Sequence, residues 1–394
     1  MARFGDGLAI DMDLSRASDA AVAQALDGLD GGVPDLLCVF VCGEDPDAVE
    51  QAGRRAAALS GARAVLGCSA SGVIGAGQGV EAMSAVSVWA GVLPGVRIRT
   101  FHLEVMRTPD GMAVVGLPER ADDEVGVLLA DPYSFPVDGF VARANEALAG
   151  LPLVGGVATG FRGPGSTRLF IDGRAVDRGA VGALLAGDVR ARALVSQGCR
   201  PVGPEMTVTA AAGNVLLELA GTPALDKLQE IVAALPPGDQ ALATQGLQIG
   251  IAMDEYAEEH DQGDFLIRGI AGADNDRGGI IVGDLVEVGR TVRFQVRDAD
   301  AADDDLIRTL SRLRGESAER VDGALLFSCN GRGRALFPTA DHDVLSLRRE
   351  LAPAGVGGFF AGGEIGPVSG RNYVHGFTAS ILAFDAEALA EPDG

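Results

Sequence analysis

One order of segments recurs along this chain: an apolar strand, a helical stretch, a glycine-rich turn and a further strand. Near the start, Leu37-Cys38-Val39-Phe40-Val41-Cys42-Gly43 leads through a helix to Ala64–Gly75 and then to Ser84–Ala90. Near the end, Leu325-Leu326-Phe327-Ser328-Cys329-Asn330-Gly331 leads through a helix to Gly357–Gly366 and then to Thr378–Phe384. Another copy runs from Glu124-Val125-Gly126-Val127-Leu128-Leu129-Ala130-Asp131 to Pro152–Gly160, and a degenerate one is expected over 247–297. A repeat this long predicts duplicated modules rather than a short-period solenoid. Duplicated modules bring their equivalent turns together, so the turns are where function is sought.

Short crossover helices between apolar strands favour parallel or mixed sheets with helices on an outer face. The expected fold is therefore α/β in a mixed α+β form. Its strand-helix-strand-strand modules make two pseudo-equivalent halves, with mixed sheets and outer helices. The expected divisions are a helical lead-in at 1–33, domains at 34–220 and 221–386, and a tail at 387–394. The stretch Gly198–Pro204 is too rich in proline and glycine to predict regular structure and is read as the crossing between halves.

With 394 residues, 47% of them hydrophobic, the chain can bury a large core. Fifty-five acidic against thirty-two basic residues give a net charge of −23, which repels phosphate backbones and anionic lipid surfaces. Nucleic acid and membrane are not expected partners. The first residues carry neither a basic start nor an apolar core of a secretory signal, and a cytoplasmic location is expected. The five cysteines, Cys38, Cys42, Cys68, Cys199 and Cys329, lack paired spacing, so neither a disulfide framework nor a metal site is predicted. No cofactor motif is present either: the phosphate-binding glycine patterns are absent.

The densest polar constellation is Ser328-Cys329-Asn330-Gly331-Arg332-Gly333-Arg334, where an apolar strand ends abruptly. A guanidinium near Cys329 would favour its thiolate. The matching turn, Ala361-Gly362-Gly363-Glu364-Ile365-Gly366, holds one carboxylate among residues with almost no side chain, and Arg371 and His375 follow. Glu364 either grips an amine or pairs with Arg332 or Arg371. The first-copy turn offers Cys68, Ser69 and Ser71, which carry a thiol and hydroxyls but no charge.

The segments Leu325–Arg334, Gly357–Pro367 and Asn372–Thr378, with Gly283–Gly289 and Phe294–Ala299 upstream, are similar to the C-terminal half of FIST proteins. Leu36–Val41, Ala64–Gly75 and Pro152–Gly160 resemble the N-terminal half. The resemblance spans about residues 34 to 385 and implies a stand-alone bacterial protein with a FIST_N and a FIST_C domain. It further implies sensing of small ligands, amino acids among them, and signalling through a separate partner protein.

The leading expectation is thus a sensor whose cleft is lined by Cys329, Asn330, Gly331, Arg332, Gly363, Glu364, Arg371, His375, Cys68, Ser69 and Ser71. Arg332 would hold a ligand carboxylate and Glu364 an ammonium. One alternative is a cysteine-dependent hydrolase or transferase with Cys329 as nucleophile and His375 as base. Another is a scaffold whose acidic surface docks a partner.

Overall fold

A computed structural model describes residues 1–109, 111–257, 259–316 and 320–385. The chain divides into two compact units. The first comprises 1–195, 307–374 and 379 onward, and the second comprises 196–306 with 375–378. Both are discontinuous, so neither coincides with a linear division at 220.

The first unit holds three sheets built to one plan. In the first, strands Leu36–Cys42 and Ala64–Ala70 are parallel and joined by the helix Pro46–Ser60. In the second, Asp123–Ala130 and Leu153–Val157 are parallel around the helix Val137–Ala147. In the third, Val321–Cys329 and Gly355–Ala361 are parallel across the helix His342–Leu351. An antiparallel strand flanks the first member of each pair: Ala85–Val92, Ala180–Gly187 and Thr378–Asp385 respectively. The mixed α+β fold read from the sequence is the one observed.

Each module also lends a hairpin to another. The hairpin 72–81 follows the first module's second strand, yet it pairs with Gly355–Ala361 of the third sheet. The third module's Glu364–Val368 and Arg371–His375 extend the second sheet against Leu153–Val157. The second module's Leu169–Ile171 and Arg174–Val176 extend the first sheet against Ala64–Ala70. The exchange is cyclic and closes on itself.

Side-chain alternation places the core. In Leu36–Cys42, residues Leu36, Cys38, Phe40 and Cys42 point one way, into a cluster shared with Val127 and Leu129 of the second sheet and Leu325 and Phe327 of the third. Leu37, Val39 and Val41 point the other way, against Leu14, Ala21, Val49 and Ala56 of the covering helices. Strands buried on both faces read as unbroken apolar runs, which is why these were visible in the sequence.

Two expectations are corrected. The opening segment is not only helical, because Arg3–Ile10 forms a strand antiparallel to Ala85–Val92. The helix that follows, Leu14–Asp27, is capped by Asp13 and buries Leu14, Ala17, Ser18, Ala21, Val22 and Ala25. The stretch Gly198–Pro204 is not a structureless crossing but belongs largely to the strand Cys199–Ala212, whose register slips between Val202 and Met206. Proline and glycine are tolerated at such an irregularity because no ladder hydrogen bond is required there.

In the second unit, Leu247–Ala252 pairs antiparallel with both Phe265–Asp274 and Thr291–Arg297. The expected degenerate copy is therefore a meander without a parallel pair. Its own core gathers Val202, Leu216, Ile249, Ile280, Val292 and Phe294 under the helix Ala224–Ala234.

Candidate functional site

The three parallel pairs superpose residue by residue through their register. Gly67 lies opposite Val39, Gly155 opposite Leu128 and Gly358 opposite Leu326. A Cβ at these glycines would sit 2.0, 1.9 and 1.7 Å from the facing carbonyl oxygens of Val39, Leu128 and Leu326. Only glycine permits this approach. The turns that follow are then equivalent: Gly67-Cys68-Ser69-Ala70-Ser71-Gly72, Gly155-Gly156-Val157-Ala158-Thr159-Gly160 and Gly358-Phe359-Phe360-Ala361-Gly362-Gly363. They share a G-x-x-A-x-G pattern, a sequence signal that the strand-by-strand reading missed.

These turns meet and bond to one another. Thr159 Oγ1 accepts the Ser71 N–H at 2.9 Å and donates to the Phe360 carbonyl at 2.8 Å. The Thr159 N–H reaches the Ser69 carbonyl at 3.3 Å, and Val157 exchanges backbone bonds with Gly362 and Gly363 at 2.9 Å. Cys68 and Ser69 are fully buried beneath this junction.

Beside the junction, at the carboxyl ends of Leu36–Cys42 and Ala64–Ala70, opens a hollow of about 600 Å³. It is lined by Cys42, Ala70 and Ser71 at the strand ends, by residues 10–12 and 82–84, and by Gly43, Glu44 and Gly160. Ile10, Met12 and Met83 are 47%, 87% and 53% exposed, which is a concentration of apolar surface at one opening. Burial pushes the Cys42 thiol upward, against the opposing effect of the Met83 and Ala82 N–H groups directed at its sulfur. Glu44 is exposed and makes no ion pair or hydrogen bond among the described residues. Asp11, by contrast, accepts from the Asp13 N–H and from Arg16, which hold its carboxyl below the usual range.

The C-terminal turns are arranged differently. Arg332 is fully buried and pairs with Asp343 through two bonds, Nε–Oδ2 at 2.7 Å and Nη2–Oδ1 at 2.8 Å. Ser328 Oγ donates to Asp343 Oδ2 at 2.7 Å, and the guanidinium lies 5.3 Å from the centre of the Phe337 ring. Burial alone would lower the Arg332 pKa and raise that of Asp343. Their mutual attraction reverses both, with Cys329 and Glu364 adding to the negative field around Arg332. Two of the three guanidinium nitrogens expected to grip a ligand are thus engaged by Asp343, which the sequence reading did not single out. Nη1 has no hydrogen-bond partner among the described residues.

Cys329 is 6% exposed, and its sulfur accepts the Gly331 N–H at 3.4 Å. Glu364 is fully buried at the head of its strand, opposite Gly156, whereas Asn330 and Arg371 are exposed. His375 is buried and belongs to the segment 375–378 of the second unit. Of the expected residues, Ser71 lines the hollow and Ser69 joins the same junction. Cys329, Arg332 and Glu364 border neither this hollow nor those of about 500 and 340 Å³ elsewhere in the first unit. The register makes Cys42, Asp131 and Cys329 equivalent strand-end positions.

Among the described residues, no group of three or more His, Cys, Asp or Glu side chains is placed to hold a metal ion. No helix there is long and apolar enough to cross a membrane.

The FIST N domain model matches residues 35–222, and the FIST C domain model matches 224–367. The chain belongs to the FIST family. Among its relatives, an uncharacterized protein of Mycobacterium tuberculosis is 44% identical over 384 residues, covering 97% of this chain and 99% of the relative. An uncharacterized protein of Mycobacterium bovis is 41% identical over 383 residues, covering 97% and 98%. FIST domains are regarded as sensory, small-ligand-binding modules of signal transduction. The FIST N match ends inside the second unit, and residues on both sides of it supply the three-sheet unit.

Proposed function

We propose that this FIST protein senses a small amphipathic metabolite, an amino acid or a related amine, bound in the hollow at Cys42 and Ser71, and reports its occupancy to a separate signalling protein. The observation that carries this reading is the hollow itself. It lies at the carboxyl ends of parallel strands, where α/β sheets receive ligands, and it combines adaptable methionine surface with the uncommitted carboxylate of Glu44. An ammonium group meets Glu44 while an apolar side chain covers Met12 and Met83. Ser71 then links the ligand to Thr159 and Phe360, so that occupancy is felt by all three modules.

The test is thermal denaturation against a panel of amino acids, their amines and their deaminated acids. Stabilisation by amine-bearing members that Glu44→Gln removes and Arg371→Ala leaves intact supports this site. The reverse pattern returns the site to the C-terminal turns around Cys329, Asn330, Gly331, Arg332, Gly363, Glu364 and Arg371. No shift with any compound overturns the reading.

One contact favours a second reading, that of a cysteine enzyme: the Gly331 N–H points at the Cys329 sulfur close to the Arg332 charge. Mild alkylation near neutral pH decides it. Cys329 reacting no faster than Cys199 removes the case for a tuned nucleophile.

A further inference from the structure

At the opposite end of the strands lies another hollow, of about 500 Å³. The three antiparallel strands that flank the parallel pairs all end there: Leu93 follows Ala85–Val92, Leu185 and Gly187 close the second, and Phe384 and Asp385 close the third. Its position is thus set by the threefold repetition of the modules, and each module supplies the same element to its wall.

The apolar lining includes Phe4, Leu93, Leu185 and Phe384, each 5% exposed or less. Behind them Trp89, fully buried, packs 5.5 Å from Phe4 and 5.3 Å from Phe384 between ring centres. The charged groups at the opening are Glu124, Asp188, Asp385 and Arg190. Asp385 is taken by Arg192. The Glu124 and Asp188 side chains are exposed and make no ion pair or hydrogen bond among the described residues. Two uncommitted carboxylates against one arginine leave the opening negative, above an aromatic and aliphatic floor.

We propose that this second hollow binds a small organic ammonium ion with an aromatic or branched apolar body. The body displaces water from Ala2, Pro94, Val96 and Val189, the apolar lining that stays accessible above the closed floor, and this supplies the affinity. The ammonium stays at the mouth between Glu124 and Asp188, where it keeps part of its hydration and gains their attraction. An anion of the same shape meets the same apolar lining but is repelled at the rim, so charge sets selectivity while the lining sets strength.

Trp89 is the chain's single tryptophan and lies directly behind the floor, so its emission reports on occupancy. The test is titration of the full chain with 2-phenylethylamine, 2-phenylethanol and 3-phenylpropionate, followed by Trp89 emission and by calorimetry. The amine is expected to give saturable binding, the neutral alcohol to bind about tenfold more weakly, and the acid more weakly still. Glu124→Gln combined with Asp188→Asn is expected to erase the preference of amine over alcohol, while Glu44→Gln, at the other hollow, leaves it unchanged. Both substituted side chains are exposed, and unaltered Trp89 emission without ligand verifies the fold. Equal binding of amine and alcohol, a preference that survives the double substitution, or no saturable signal by either method overturns the proposal. A preference lost with Glu44→Gln assigns the amine to the first hollow and equally overturns it.

Discussion

Thr159 Oγ1 accepts the Ser71 N–H at 2.9 Å while donating its own proton to the Phe360 carbonyl at 2.8 Å. One hydroxyl in the second module thereby ties the turn of the first to the strand end of the third. A valine there keeps the shape and strands both backbone groups, at a cost of about 1–3 kcal/mol. Thr159→Val should therefore melt measurably earlier than the parent in denaturant titrations, and Thr159→Ser, which keeps the hydroxyl, should recover most of the loss. Equal midpoints for the two variants would show that the hydroxyl is dispensable.

The equivalent glycines make a sharper demand. At Gly67, Gly155 and Gly358 a methyl group would overlap a backbone carbonyl of the neighbouring parallel strand, which no side-chain rotation relieves. Gly67→Ala, Gly155→Ala and Gly358→Ala are each expected to cost about 3 kcal/mol or more, or to prevent folding. Gly150, Gly213 and Gly370 have no atom within 4 Å of an added Cβ but hold positive φ, so alanine there carries only the milder backbone strain. A circular-dichroism melt across the six variants measures the contrast, and similar losses in both groups would contradict the shared steric cause.

What could be read in the sequence follows from burial. Leu36–Cys42 announced itself because both faces are covered, leaving no polar interruption, and Val321–Cys329 did so through its apolar centre Ala324–Phe327, between Asp322 and Ser328. Arg3–Ile10 was hidden because Gly5 and Gly7 interrupt its apolar run. They do so for a tertiary reason: a Cβ at either would lie 2.0 Å from the Ala25 or Ala21 carbonyl oxygen of the helix packed above. The candidate site was legible only as a set of turns. Gly155–Gly160 carries the joining threonine in plain view of its equivalents, but nothing local to Arg332 indicates that Asp343, eleven residues on, turns back to claim it. The hollow at Cys42 depends on residues 10–12, 42–44 and 82–84 converging, which no spacing rule foretells.

The Arg332–Asp343 pair sets a pH dependence. Burial opposes the charge on Asp343, but Arg332 outweighs it and holds the carboxyl below its ordinary value. A carboxyl depressed by folding contributes stability that is present above its unfolded pKa, about 4, and is lost as pH falls towards the folded-state value. Stability measured between pH 7 and pH 2 should drop more steeply in the parent than in Asp343→Asn. The variant is already weaker at neutral pH by about 3–5 kcal/mol, since Arg332 is left buried without its counter-charge. Replacing both partners, Arg332→Met with Asp343→Leu, should restore much of that loss. If the double replacement is as unstable as Asp343→Asn, the defect lies elsewhere than in an unpaired charge.

The cyclic lending of hairpins bears on how the chain can be divided. A piece ending at Asp188 contains two of the three modules, yet its hairpin 72–81 has lost the strand Gly355–Ala361, and Leu153–Val157 has lost Glu364–Val368. Both partners then expose unpaired backbone along apolar edges, an arrangement that favours aggregation. Residues 1–188 expressed alone should be insoluble or unfolded. Co-expression with 189–394 should return a soluble complex, because the break falls in the exposed connection 188–190 and cuts none of the lent strands. Gel filtration and a single cooperative melt of the reassembled pair check this. A soluble, monomeric and cooperatively melting 1–188 piece would mean that the borrowed strands are ornaments on independent modules rather than what joins them.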